Sequence, residues 1–266
     1  MAYGKIIISE FYLDNKHKTI KPAKVGGVAG GLKYICQGIL FKFAVDAQGI
    51  YGHDDAAAAT VAGHELKGFQ AYFNLGLPDL RLPLMALVDY RGFRLIAMSL
   101  LPLDNTTLVY GSSDGGNTVH NENDAMNDIM QQAAAKLRLK PHLAGFDPNH
   151  RKLVYSAVDV EGHLGLVRCH SLTPSLASTH HYAVEQDGKY YLIDFARTFP
   201  CEKPSARGEN LTNLFRPEFC ATYSKPLCSD AYSGFTDSSH NSEIDQATLF
   251  LRVRTTIARL PTSTCI

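Results

Sequence analysis

Tyr190-Tyr191-Leu192-Ile193-Asp194-Phe195-Ala196-Arg197 is the stretch that orders the rest of this chain. It reads as a buried strand that ends on a carboxylate, with an arginine three residues further on. Apolar strands that deliver an acid at their carboxyl end place a charge in a cleft. Whether other charged residues converge on Asp194 separates a site from a mere strand terminus.

Candidates lie upstream. In residues 38–46, Ile39, Phe41, Phe43 and Val45 share one face of a strand while Leu40, Lys42 and Ala44 share the other. Lys42 interrupts an apolar row and needs a partner or a route to water. Residues 56–75 have helical spacing, with Ala62, Leu66, Phe69 and Phe73 as the apolar stripe. Glu65 falls about 60° from the centre of that stripe. It borders the buried face and is the candidate partner of Lys42, expected within about 4 Å of it. The glycine-rich run Lys24 to Gly31 is either a phosphate-approaching loop, through Gly27 and Gly30, or a flexible connection. Downstream, Asp159, Glu161 and His163 gather two acids and a histidine beside a short apolar strand.

The remaining chain supplies the frame. Residues 5–13, rich in β-branched and aromatic side chains, predict a first strand. Residues 82–89 and 93–101 predict a hairpin around Tyr90-Arg91-Gly92, and Asp187-Gly188 predicts a second hairpin turn. Helices are predicted over 123–139, with Met126, Ile129, Met130, Ala133 and Leu137 inward, and over 242–260, with Ile244, Ala247, Phe250, Leu251 and Ile257 inward. Gly111 to Thr118 is read either as a ligand-facing loop or as a tight turn, and residues 170–181 as a surface insertion. His180-His181 is a weak metal candidate, because neighbours on a strand face opposite ways. The expected class is α+β: one domain over 1–266 with antiparallel hairpins and helices, in an N-terminal lobe to about 105 and a C-terminal lobe over about 106–266.

Composition narrows the function classes. The 26 basic and 26 acidic residues balance, so no global field draws the chain to nucleic acid or an anionic bilayer. No apolar run is long enough to span a membrane, and no signal peptide is read at the N-terminus. Six cysteines without a Cys-x-x-Cys pair read as reduced thiols, and cytoplasmic localisation is expected.

The order of parts resembles that of protein kinases: glycine-rich turn, strand lysine, helix glutamate, acid-bearing loop, strand ending in Asp. On that resemblance Lys42 holds phosphate oxygens, Asp194 binds magnesium, and Asp159 and Asp194 are the catalytic candidates, with ATP as cofactor. The nucleotide site implied by that resemblance comprises Gly27, Gly30, Lys42, Glu65 and Asp194, flanked by Arg197, His163 and Glu161. The loop departs from the kinase pattern, since no His-Arg-Asp triplet is present and Leu164 stands where kinases supply an asparagine.

A more specific resemblance covers residues 22–235. Gly26 to Gly31, Gly38 to Asp46, Ala62 to Gly68, Asp89 to Arg94, Val109 to Gly116, Tyr191 to Pro200 and Arg216-Pro217-Glu218 are similar, in that order, to the CLU (clustered mitochondria) domain. That resemblance implies a non-catalytic cytoplasmic protein of mitochondrial organisation and distribution, acting through messenger RNA or protein partners. The residues themselves show no RNP-like motif or dense basic run; Arg252, Arg254 and Arg259 form only a weak basic face.

Overall fold

A computed structural model describes residues 1–23, 31–170 and 182–259. Gly27, Gly30 and His180-His181 lie outside the described residues, as does almost all of the 170–181 insertion. The class is α+β, as expected: among the described residues, helices with two antiparallel sheets, one of them two-stranded, and one mixed sheet.

The first sheet has the order β1-β2-β5-β4, all antiparallel, from β1 (Lys33–Cys36), β2 (Ile39–Phe43), β4 (Met85–Tyr90) and β5 (Phe93–Ser99). The β4–β5 hairpin turns on Arg91 (φ 50°) and Gly92 (φ 83°). Two successive positive φ angles match the right-handed strand twist.

Residues 5–13 are not a strand. Helix α1 spans Ala2–Phe11 and buries Gly4, Ile7 and Ile8. With Phe11 these recur at i, i+3, i+4 and i+7, one face of a helix. That face covers Tyr34, Phe41, Phe43, Val88 and Leu95. Burial on the sheet outweighs the β preference of three consecutive isoleucines.

Helix α2 (Asp55–Asn74) is capped by the Asp54 side chain, which accepts from Ala56 N–H at 2.8 Å. It packs on β4 and β5, where Arg94 donates to the Ala59 carbonyl at 2.9 Å. Ala62 and Phe69 are buried as expected, but Phe73 is 58% exposed. The helix rotates so that Glu65, Gly68 and Tyr72 face inward instead.

The second sheet has the order β3-β10-β9-β6, from β3 (Leu80–Arg81), β6 (Leu108–Tyr110), β9 (Glu161–His170) and β10 (Tyr182–Ile193). Asp187-Gly188 is not a hairpin turn. It sits inside β10, where Gln186 pairs with Leu166 and the next pair is Tyr190 with Leu164. The extra residues form a bulge, and Gly165 opposite leaves room for Tyr191, whose Cε2 would lie 2.3 Å from an added Cβ.

Helix α3 (Asp124–Leu137) buries Met126, Ile129, Met130 and Ala133 as predicted. The hairpin β7 (His142–Ala144) with β8 (Lys152–Val154), the short helices α4 (Glu209–Thr212) and α5 (Pro217–Thr222), and α6 (Ser239–Arg259) complete the chain. Ile244 and Ala247 of α6 are fully buried; Phe250 is 44% exposed, and the side chain of Ile257 lies outside the described residues. The loop from Gly111 to Thr118 closes on itself: Ser112 donates to Asp114, and the amides of Gly116 and Thr118 are taken by Ser112 and Asp114.

Candidate functional site

Strand β10 ends on Asp194, whose φ of 60° is a left-handed conformation uncommon for a residue with a side chain. The turn that follows is seated on α2. Phe195 is fully buried between Phe69 and Tyr72, with ring centroids 5.9 Å and 5.7 Å away. Its backbone N–H donates to Glu65 Oε1 at 3.0 Å. Its carbonyl accepts from Thr198 Oγ1 at 2.8 Å. Gly68 of α2 lies against this carbonyl so closely that an added Cβ would be 2.2 Å from it.

Lys42 reaches toward this corner from the first sheet, on the face opposite Phe41 and Phe43. Burial disfavours its ammonium, but Asp194, then Glu65, Tyr51 and Glu161, outweigh that and raise its pKa. Burial and the Asp194 charge push the Glu65 carboxyl up to about 7, against the opposing pull of Lys42 and Phe195 N–H. A tight ion pair would lower an acid. Among the described residues Lys42 forms no ion pair with Glu65 or Asp194; of the charges acting on it Asp194 has the larger effect, and Glu65 accepts the Phe195 amide. The expected Lys42–Glu65 contact at about 4 Å is not formed among the described residues; the Lys42 charge acts on Glu65 and Asp194 at longer range.

Arg197 turns the other way, into the C-terminal half. Its Nη2 donates to Asp230 Oδ1 at 2.5 Å, and its Nη1 lies 3.4 Å from Asp159 Oδ2. Asp230 is fully buried and also accepts from His142 Nε2 at 2.8 Å and Val158 N–H at 2.9 Å. His142 Nδ1 faces the Lys140 carbonyl at 2.9 Å, an acceptor that requires a proton on that nitrogen. Burial works against the imidazolium, yet the Asp230 hydrogen bond wins and pushes its pKa up to about 10. For Asp230 burial is likewise outweighed, by Arg197 and then His142, so its carboxyl is held below the usual range. Asp159, Arg197, Asp230 and His142 therefore alternate in charge, a pattern in which each buried ion has a partner.

Asp159 keeps 41% of its side chain accessible, although its Oδ1 is enclosed without a hydrogen-bond partner. Burial raises its pKa despite Arg197. Glu161 Oε2 lies 3.2 Å from His163 Nε2. Thr107 Oγ1 already donates to the Asp104 carbonyl, so His163 Nδ1, 3.0 Å away, is the donor to Thr107. Burial raises the Glu161 pKa against the His163 hydrogen bond.

The structure thus brings Lys42, Glu65, Asp159, Glu161 and Asp194 into one electrostatically linked group. Sequence reasoning missed Asp230, His142 and Tyr51. Asp230 within Leu227-Cys228-Ser229-Asp230-Ala231 carried a signal, since an acid inside an apolar run demands a buried partner. Tyr51 is delivered by a loop folded around Asp46, whose Oδ2 accepts the amides of Tyr51 and His53 at 2.9 Å and 2.7 Å. Among the described residues no group of three His, Cys, Asp or Glu side chains is arranged to hold a metal. A groove of 690 Å³ lies elsewhere, between the start of α2 and the β4–β5 turn.

An α+β chain with a buried charged corner at the end of β10 is what fold and site define. The clustered mitochondria (CLU) family profile matches residues 1–170, more than half of the chain, and the chain belongs to that family. It is 28% identical over 176 residues to a clustered mitochondria protein homolog of Brugia malayi, covering 63% of this chain and 11% of that protein. The corresponding homolog of Caenorhabditis elegans is 28% identical over 177 residues, 63% of this chain and 12% of the relative. Protein clueless of Drosophila ananassae is 27% identical over 174 residues, 63% and 11%. The matched segment is thus about a tenth of the length of these curated relatives. No solved structure matches.

Proposed function

We propose that this chain is a non-catalytic binding module that serves mitochondrial distribution, acting in the cytoplasm through messenger RNA or protein partners. Its family and the names of its relatives support a role of this kind. No helix among the described residues is long and apolar enough to cross a membrane. The observation that carries the non-catalytic reading is the use made of the acids. Glu65 holds the Phe195 amide and Asp159 lies against Arg197, so both serve the frame of the corner. On this reading residues to about 105 form one lobe, 106–266 the other, and the charged corner joins them. Crosslinking the chain to RNA in cells tests it. Recovery of transcripts for mitochondrial proteins, or of a stable set of mitochondrial protein partners, is expected; recovery of neither overturns the proposal.

A second reading is favoured by the electrostatic influence of Asp194 on the buried Lys42: a nucleotide-binding, kinase-like phosphotransferase with a degenerate catalytic loop. Magnesium usually takes one or two protein carboxylates and completes its shell with phosphate oxygens and water. Asp194 and the unpartnered Oδ1 of Asp159 fit that sparse requirement. When bound, the ion would neutralise phosphate charge. Lys42 would orient the phosphates, and Glu65 would hold the turn that presents Asp194. A ligand at 100 times its dissociation constant adds about 2.7 kcal/mol of stability, or roughly 5–11 °C in melting temperature. ATP with magnesium is then expected to raise the melting temperature of the wild type but not of Lys42→Ala or Asp194→Asn. No shift at millimolar nucleotide removes this reading.

A further inference from the structure

We infer that the outer face of α6 is a docking surface for an anionic lipid bilayer. The helix packs through Ile244, Ala247 and Thr248, which are at most 2% exposed. Opposite that face, Leu249, Phe250 and Val253 are 64%, 44% and 48% exposed. At about 100° per residue these three cover an arc of roughly 100° pointing away from the core. Arg252 and Arg254 fall on either side of the arc. Residues 246–259 contain three arginines and no acidic residue, in a chain whose total charge is zero.

An apolar stripe between two cationic edges fits a lipid interface, where the stripe enters the acyl boundary and the arginines reach the headgroups. The aromatic neighbours suit the same setting. Phe250 lies 5.5 Å from the Tyr223 ring and 6.4 Å from Phe219, while Arg254 sits 5.6 Å over Phe250. Tyrosine and arginine at the rim of an apolar face are partners for headgroups. This surface is remote in sequence and role from the Asp194 corner, and the inference does not depend on either reading of that corner. Glu202 and Glu209 attract Arg252 and moderate the positive field on that edge. Binding is therefore expected to need both the apolar stripe and the negative lipid.

Flotation of the whole chain with phosphatidylcholine vesicles, with and without phosphatidylserine, is the test. Binding is expected only to the anionic vesicles, falling as salt rises. The double substitution Leu249→Ser with Val253→Ser should weaken it at least about tenfold. Arg252→Gln with Arg254→Gln should abolish it. All four positions are exposed, so circular dichroism and melting temperature should stay at wild-type values. Absence of flotation at low salt, or equal flotation of the serine variant, overturns the inference. So does a wild-type dimer in sedimentation velocity, lost in the serine variant, without lipid binding; the stripe would then join two copies of the chain.

Discussion

Replacing Gly68 with alanine tests how α2 holds the turn after Asp194. The new Cβ would lie 2.2 Å from the Phe195 carbonyl oxygen, 2.5 Å from Thr198 Oγ1 and 2.9 Å from Phe195 Cβ. The first contact is with backbone that already accepts two hydrogen bonds from Thr198, so no side chain can swing aside. Either α2 or the turn must move by about an ångström, a strain of about 1–3 kcal/mol. The same movement lengthens the Phe195 N–H···Glu65 hydrogen bond, worth about 1.5–3 kcal/mol when the acceptor is charged. Against these stands a gain of about 1 kcal/mol in helix propensity for alanine over glycine. The net loss is about 2–4 kcal/mol, a fall of roughly 4–16 °C in melting temperature. Gly63 on the same helix is the control, because its added Cβ meets only Arg94 Nη1 at 3.8 Å. Gly63→Ala should keep the propensity gain and raise the melting temperature by a few degrees. Thermal and urea unfolding of the two variants compare them directly. A Gly68→Ala protein as stable as Gly63→Ala would refute the close seating of the turn on α2.

Removing the guanidinium by Arg197→Met should cost about 3–5 kcal/mol, since it leaves Asp159 without its cation and Asp230 with His142 alone; a loss below about 1 kcal/mol in urea unfolding would contradict the buried network. Glu65 has a folded-state pKa of about 7, above its ordinary 4.5, so the stability it adds is complete below about pH 4.5 and is lost as pH rises through 7. The difference in unfolding free energy between wild type and Glu65→Gln should therefore change most between pH 5 and 7, and a flat difference would argue against a buried acid there. His142 is raised instead from 6.5 to about 10, so its contribution is complete below 6.5 and lost only as pH rises through 10. Nitrogen-15 spectra should show its imidazole doubly protonated at pH 8, with collapse of that signature in Asp230→Asn.

The parts of this fold written in local periodicity were legible, and those created by packing were not. Helix α3 declares itself through Asn123, which caps it, and through Met126, Ile129, Met130 and Ala133 on one face. Helix α2 was equally plain, but its rotation was not. Gly63 and Gly68 carry no hydropathy signal, and it is Gly68 that lets the Glu65 side of the helix approach Phe195. Residues 5–13 offered β-branched side chains and a helical stripe at once, and only the sheet beneath chose between them. Asp187-Gly188 has the chemistry of a hairpin turn, yet the same left-handed freedom serves a bulge when the strand continues beyond it. In the site, Lys42 and Glu65 stood out as charges on apolar faces. Asp230 and His142, 88 positions apart, meet only because β7 lies beside the 227–231 segment.

Asp194 and Arg197, three positions apart at the end of β10, have different surroundings. Arg197 is 7% exposed and its charge is consumed by Asp230 and Asp159, so its work is internal. Phe195 between them is fixed by side chain and amide alike. The backbone at Asp194 is thus held from the far side by α2 and by the Arg197 network, in a left-handed conformation that a free chain would rarely keep. Such strain persists only where surrounding structure over-determines it, and here the surroundings do so through Glu65, Gly68 and Thr198. Arg197 is engaged by Asp230 and Asp159, while the Asp194 charge acts on Lys42. The two readings of the corner then make opposite demands on two substitutions. A purely structural corner tolerates Asp194→Asn and fails with Arg197→Met. A binding corner fails with either, the first through lost ligand at unchanged stability and the second through lost stability.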